Sequence, residues 1–155
     1  MIDASMSALP PTPAPKDQPF DFHGATLSVR VATVDTGGAY CVLHATHLPN
    51  RGPALHVHPH GAETFVVLEG SYRFFTGGNE VDVGAGEVVS VPAGTAHRWV
   101  AGPTGAVSVI ISAPGLEEYF WGVSLESHRG PVPFAREIEV GAAHGQDFLE
   151  EETHW

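Results

Sequence analysis

His56 and His58 stand two residues apart, and Glu63 follows with four residues between it and the second histidine. On an extended strand, side chains two apart project from the same face, so the two imidazoles point together. Pro59, His60 and Gly61 read as a turn, after which Glu63 opens a second apolar run that ends at Gly70. Two imidazoles and a carboxylate converging from neighbouring strands make a coordination shell for a divalent transition metal. A third imidazole comes from further along: Pro92 and Gly94 shape a tight turn, and His97 emerges on the strand behind it. A neutral His97 gives one ring nitrogen to a metal while an acceptor holds the other. Three imidazoles and one carboxylate suit Fe, Mn, Ni, Co, Cu or Zn, and suit Ca or Mg poorly. Four protein ligands on an octahedral ion leave room for a bidentate substrate, or for one substrate oxygen and O2.

The elements that must position these residues are short strands. The chain has 18 glycines and 13 prolines without a repeat period, a composition of many turns. Strands are expected at Ala25 to Val34, Ala39 to Leu48, around His56, at Glu63 to Leu68, Tyr72 to Phe75, Val81 to Val83, Glu87 to Val91, His97 to Val100 and Ala106 to Ser112. Gly102-Pro103 is expected to break the chain. Turns every eight to twelve residues point to an all-β sandwich or barrel. After Pro114 the pattern changes to a helical turn at Leu116 to Trp121, a loop over 125–133, a helix from Pro133 to Ala143 and a short strand at Gln146 to Leu149. The prolines at 10, 11, 13, 15 and 19 make residues 1–19 an extended, flexible arm, with docking on a second subunit as the other reading. The expected organisation is therefore arm 1–19, barrel 20–115 and extension 116–155 packed on the barrel.

The histidines, the glutamate and the glycines together resemble the two-motif signature of the cupin superfamily. The first motif is carried by His56, His58, Glu63 and Gly70, and the second by Gly86, Pro92, Gly94 and His97, all at the family's spacing. Ala101 stands where the second motif has an asparagine, and Gly52 lies four residues before His56 rather than six. The texture is similar to that of small single-domain cupins related to quercetin 2,3-dioxygenase. The resemblance implies a double-stranded β-helix (jelly-roll) barrel with a metal held in its mouth by His56, His58, Glu63 and His97, and a homodimer. In such dioxygenases the glutamate is both ligand and base, which implies the catalytic role for Glu63. The reaction implied is an O2-dependent oxidation of a small aromatic or enol-containing molecule. The alternatives are a non-redox metal-dependent cyclase, isomerase or lyase, and a non-catalytic cupin that binds a small molecule, because one fold hosts many activities.

Phe65 and Trp99 are each two residues along from a ligand and share its face, so they are expected to wall the substrate pocket. Tyr40 is a candidate to offer a hydroxyl to that pocket, its face left open by strand parity. His60, beyond Pro59, is expected at the rim. His44 and His47 lie on opposite faces of one strand, so at most one looks inward, and each is read as a satisfied strand histidine. Cys41, the sole cysteine, excludes an intramolecular disulfide and reads as a small buried hydrophobe. The net charge of −11, with Lys16 the only lysine, argues against nucleic acid and anionic membrane surfaces as partners. No signal peptide or membrane span is visible, which reads as a cytoplasmic, soluble protein.

Overall fold

A computed structural model describes residues 12–155. Nine antiparallel strands curl into a barrel: β1 (Phe20–Phe22), β2 (Ala25–Val31), β3 (Cys41–His47), β4 (His56–Val57), β5 (Glu63–Thr76), β6 (Asn79–Gly84), β7 (Val88–Val91), β8 (His97–Ser112) and β9 (Asp147–Phe148). Two helices follow the barrel strands, α1 (Leu116–Ser127) and α2 (Phe134–Ala143). The strand order is β1-β2-β3-β8-β4-β9, with β5 joining β6, β7 and β8. This is the double-stranded β-helix architecture, with a short helical extension. No helix among the described residues is long and apolar enough to cross a membrane.

Two strands are longer than the sequence suggests. Glu63–Leu68 and Tyr72–Phe75 fuse into β5, because bulges near Leu68 and Ser71 absorb the Glu69-Gly70 step without ending the ladder. Gly70 is required there: it sits at φ 70°, and a Cβ would lie 2.0 Å from the Gly105 carbonyl oxygen. Gly102-Pro103 likewise bends β8 rather than breaking it. Tyr72 pairs with Ala101 and Gly70 with Ala106, so residues 102–105 bulge out of the ladder, where an exposed proline withholds no needed N–H. Both long strands thereby cross the whole barrel and carry side chains to both of its ends.

Alternation along the strands fills the interior. Phe65 and Phe74 pack at 4.9 Å between ring centroids, Phe65 and Tyr72 at 5.2 Å, and Tyr72 and Trp99 at 5.3 Å, all in edge-to-face geometry. On β3 the inward set is Cys41, Leu43, Ala45 and His47. The opposite set, Val42, His44 and Thr46, faces out. This parity corrects the placement of Tyr40, which precedes β3 in phase with the outward set. Tyr40 is 43% exposed and is held by its backbone to the Thr36 hydroxyl, away from the barrel interior.

The extension closes one side of the barrel. Helix α1 runs to Ser127, beyond the single turn expected, because Leu116, Tyr119 and Val123 form a buried stripe against the sheet. The Glu117 carboxylate, in the first turn of α1, accepts hydrogen bonds from the Thr33 backbone N–H and hydroxyl. Strand β9 pairs with β4, placing Phe148 opposite His56. The chain then runs back as a strap. Leu149 N–H donates to the Leu55 carbonyl, the Glu150 carboxylate accepts from Leu55 N–H, and Gly52 and His154 exchange two backbone hydrogen bonds. At the other terminus, residues 1–11 of the proline-rich arm lie outside the described residues. Residues 12–17 dock on their own chain rather than hanging free, through Trp121 Nε1–H to Thr12 O, Ala14 N–H to Glu118, and Asp17 N–H to Val29 O.

Candidate metal centre

The two sequence motifs meet at one end of the barrel. His56 on β4 pairs directly with His97 on β8, and Glu63 opens β5. Gly94 turns the chain ahead of His97 at φ 78°, and its N–H donates to the His58 carbonyl at 2.9 Å, tying one motif to the other. The potential ligand atoms of His56, His58, Glu63 and His97 all lie within 4.8 Å of one another. Each of the four residues is at most 5% exposed.

The protons on the rings are fixed by their surroundings. His56 Nδ1 is 2.7 Å from the Ala54 carbonyl, and His97 Nδ1 is 2.9 Å from the Thr95 carbonyl. A carbonyl only accepts, so in both rings Nδ1 carries the proton and Nε2 turns a lone pair inward. His97 Nε2 lies 3.2 Å from Glu63 Oε1. Two lone pairs facing each other at that distance call for a cation between them, either a proton or a metal. His58 Nε2 is 3.3 Å from Glu63 Oε2 but makes no hydrogen bond, and its Nδ1 also has none among the described residues. Buried ring nitrogens without partners are costly, by about 1–3 kcal/mol each. A metal ion among the four groups would take up His58 Nε2 and relieve the His97–Glu63 pair, so the cluster fits a divalent transition metal.

The electrostatics agree with a ligand role. Burial works to raise the Glu63 carboxyl, but the His58 and His97 rings beside it hold it well below the usual carboxylate range. Burial, helped by the charges of His97 and His58, pushes His56 down to about 3. For His97 burial works downward, and the Glu63 hydrogen bond and charge outweigh it to raise the group. Glu63 is therefore ionised and His56 neutral at physiological pH, the states in which both bind metal.

A narrow cavity opens from the cluster. His56 and Glu63 line it together with Phe65, Trp99, His47 and Trp155. The centre of a water-sized sphere has about 30 Å³ to move in, room for a few waters and too little for a ring. Of the expected pocket residues, Phe65 and Trp99 are in this wall. Tyr40 is outside the barrel, and His60 is exposed on the turn after β4, outside the cavity lining. Sequence reasoning passed over His47 and Trp155. His47 shares the inward phase of Cys41, Leu43 and Ala45, a signal available in the alternation itself. Trp155 arrives from the far end of the chain on the strap, which no local pattern reveals. Cys41 is fully buried, and burial raises its thiol far above the range where a thiolate forms.

Comparison with known proteins agrees with the geometry. Residues 43–112 match the family model described as a cupin domain. Quercetin 2,3-dioxygenase of Bacillus subtilis (strain 168) is 31% identical over 77 residues, a stretch that is 50% of this chain and 23% of that protein. Among solved structures, a cupin-like protein from Thermotoga maritima superposes with a TM-score of 0.55 at 18% identity, over 88% of this chain and 83% of that one. An RmlC-like cupin from Shewanella frigidimarina gives 0.54 at 18% identity, over 66% and 87%. These structural likenesses speak to the fold. With both motifs brought to one end of a double-stranded β-helix, residues 43–112 are similar to the cupin domain, and the fold of the chain is that of cupin-like proteins.

Proposed function

We propose that the protein is a metal-dependent cupin enzyme that oxidises a small aromatic or enol-containing molecule with O2. The observation that carries this reading is the buried His56, His58, Glu63 and His97 cluster opening onto a cavity walled by Phe65 and Trp99. The partial likeness to a quercetin 2,3-dioxygenase supports it. A divalent transition metal held by the four side chains would supply Lewis acidity at a substrate oxygen and, if redox-active, electrons for O2. Glu63 is kept ionised by its two histidine neighbours and is placed to accept the proton of an enol or phenol hydroxyl. With Trp155 moved out of the cavity, Phe65 and Trp99 would offer flat apolar faces to a planar substrate and exclude water from it. The same reading includes a homodimer, for which Val88 (60% exposed) and Ile111 (38% exposed) give an apolar surface on the outer sheet face.

The test is O2 uptake by protein reconstituted separately with Fe, Mn, Ni, Co, Cu and Zn, supplied with flavonol and acyl-enol substrates. Uptake with at least one redox-active metal and none with Zn is expected. Absence of uptake with every metal would sink the oxidative reading. Anaerobic turnover with Zn would replace it with a non-redox cyclase, isomerase or lyase.

A further inference from the structure

Away from the metal ligands, one polar chain runs through the barrel core and ends at the cavity. His47 Nδ1 lies 2.7 Å from the Tyr72 hydroxyl, which lies 2.8 Å from the Ser108 hydroxyl. The three residues come from β3, β5 and β8 and are 5%, 1% and 0% exposed. Burying three polar side chains among Leu43, Phe65 and Phe74 is expensive unless each is bonded. Two hydrogen bonds satisfy the two hydroxyls and one ring nitrogen. The other nitrogen, Nε2, has no partner among the described residues, and its ring lines the cavity that His56 and Glu63 also line. The ring is held on both sides, tilted against Trp99 at 4.4 Å and stacked near Trp155 at 6.2 Å between centroids.

We propose that His47 is a second anchor for the substrate: its Nε2 hydrogen-bonds a neutral oxygen, hydroxyl or carbonyl, at the end of the ligand remote from the metal centre. The ligand is then a planar molecule with oxygens at two ends, one at the metal and one at His47, and its ring against Phe65 and Trp99. Tyr72 is a positioning residue that fixes the ring of His47. The two hydroxyls of the chain can rotate together. When Ser108 donates to Tyr72 and Tyr72 donates to Nδ1, Nε2 carries the proton and donates to a carbonyl. With the order reversed, Nε2 accepts from a hydroxyl. Burial pushes His47 down to about 3, so the anchor is an uncharged ring that offers one hydrogen bond. This inference rests on the reading of the cavity as a substrate site.

Kojic acid and allomaltol test it, since these two enol-ones differ only by one distal hydroxyl. Dissociation constants are measured on the Co(II)-loaded protein from its visible spectrum. The wild type is expected to hold kojic acid about fivefold tighter than allomaltol, the worth of one neutral hydrogen bond. His47→Leu should bring that ratio to about one, the comparison being made within each protein because the leucine also alters the cavity wall. Tyr72→Phe, which keeps the ring packing, should reduce the ratio without loss of Co(II). A ratio above one that survives unchanged in both variants would overturn the role of His47 and leave the substrate site standing. Equal binding of the two probes by the wild type would do the same. Failure of the loaded wild type to bind either probe would overturn both this inference and the reading on which it rests.

Discussion

At the scale of single residues, His58 is the most exposing test of the centre. Its two ring nitrogens are buried without hydrogen bonds, and a metal ion would take up the lone pair of the one that faces Glu63. His58→Ala should weaken retention of bound metal at least about tenfold, read as metal content after dialysis against a weak chelator. His60→Ala should keep full metal content, because His60 is exposed on the turn two residues beyond His58 and takes no part in the cluster. An empty site in His60→Ala and a full one in His58→Ala would reverse the assignment. The four clustered residues were legible in the sequence because their spacing is the geometry: residues two apart share a face, and a turn sets the next strand beside the first. The face of Tyr40 stayed open in the sequence because parity orders a strand but does not say which side is inside. That was decided by Leu43 and Ala45, small and branched apolar residues that fit the barrel interior.

At the scale of elements, the strap over 149–155 supplies one wall of the cavity through Trp155. It is held by the Gly52–His154 backbone pair, by Leu55 and by the Trp155 indole, which meets Phe22, Trp99 and His47. Since the closed cavity admits only water-sized groups, a ring can enter only if a lining residue moves, and Trp155 on the strap is the one whose displacement can be tested. Trp155→Ala removes that competitor. If closure costs a ligand about 1.4 kcal/mol, apparent affinity for kojic acid should rise about tenfold and association should quicken, as stopped-flow fluorescence of the remaining tryptophans would show. Unchanged association would mean that ligands enter by another route. The barrel strands were readable from alternation and turn residues, since each is a local pattern. The strap was not, because its pairing depends on contacts about a hundred residues apart, Gly52 with His154. The continuity of β5 and β8 was hidden for a related reason. Glycine and proline mark turns in general, but here the partner strand supplies bulges that let the ladder run on past them.

At the scale of the whole molecule, a polar chain inside a small barrel links stability to pH. His47 is pushed down to about 3 by burial, against an ordinary value of 6.5, with the Glu63 charge the opposing influence. The unfolded chain therefore binds a proton at this residue below pH 6.5 that the folded chain does not bind until about pH 3. Stability contributed by keeping His47 neutral is complete above pH 6.5 and falls as pH drops, by about 1.4 kcal/mol per unit. His56, also pushed down to about 3, acts in the same direction and over the same window. Glu63, held well below 4.5, adds its own loss only as pH falls below 4.5. The raised His97 contributes stability that is fully present below 6.5, so it adds no slope there. Between pH 6.5 and 5, metal-stripped wild type should thus lose about 3 kcal/mol from the two histidines, and His47→Leu only about half of that. Urea unfolding at each pH reads the difference, and it is the slope that matters, because His47→Leu also changes packing at every pH. Equal slopes in the two proteins would mean that the folded barrel already protonates His47 in this range, and the neutral anchor in the cavity wall would have to be abandoned.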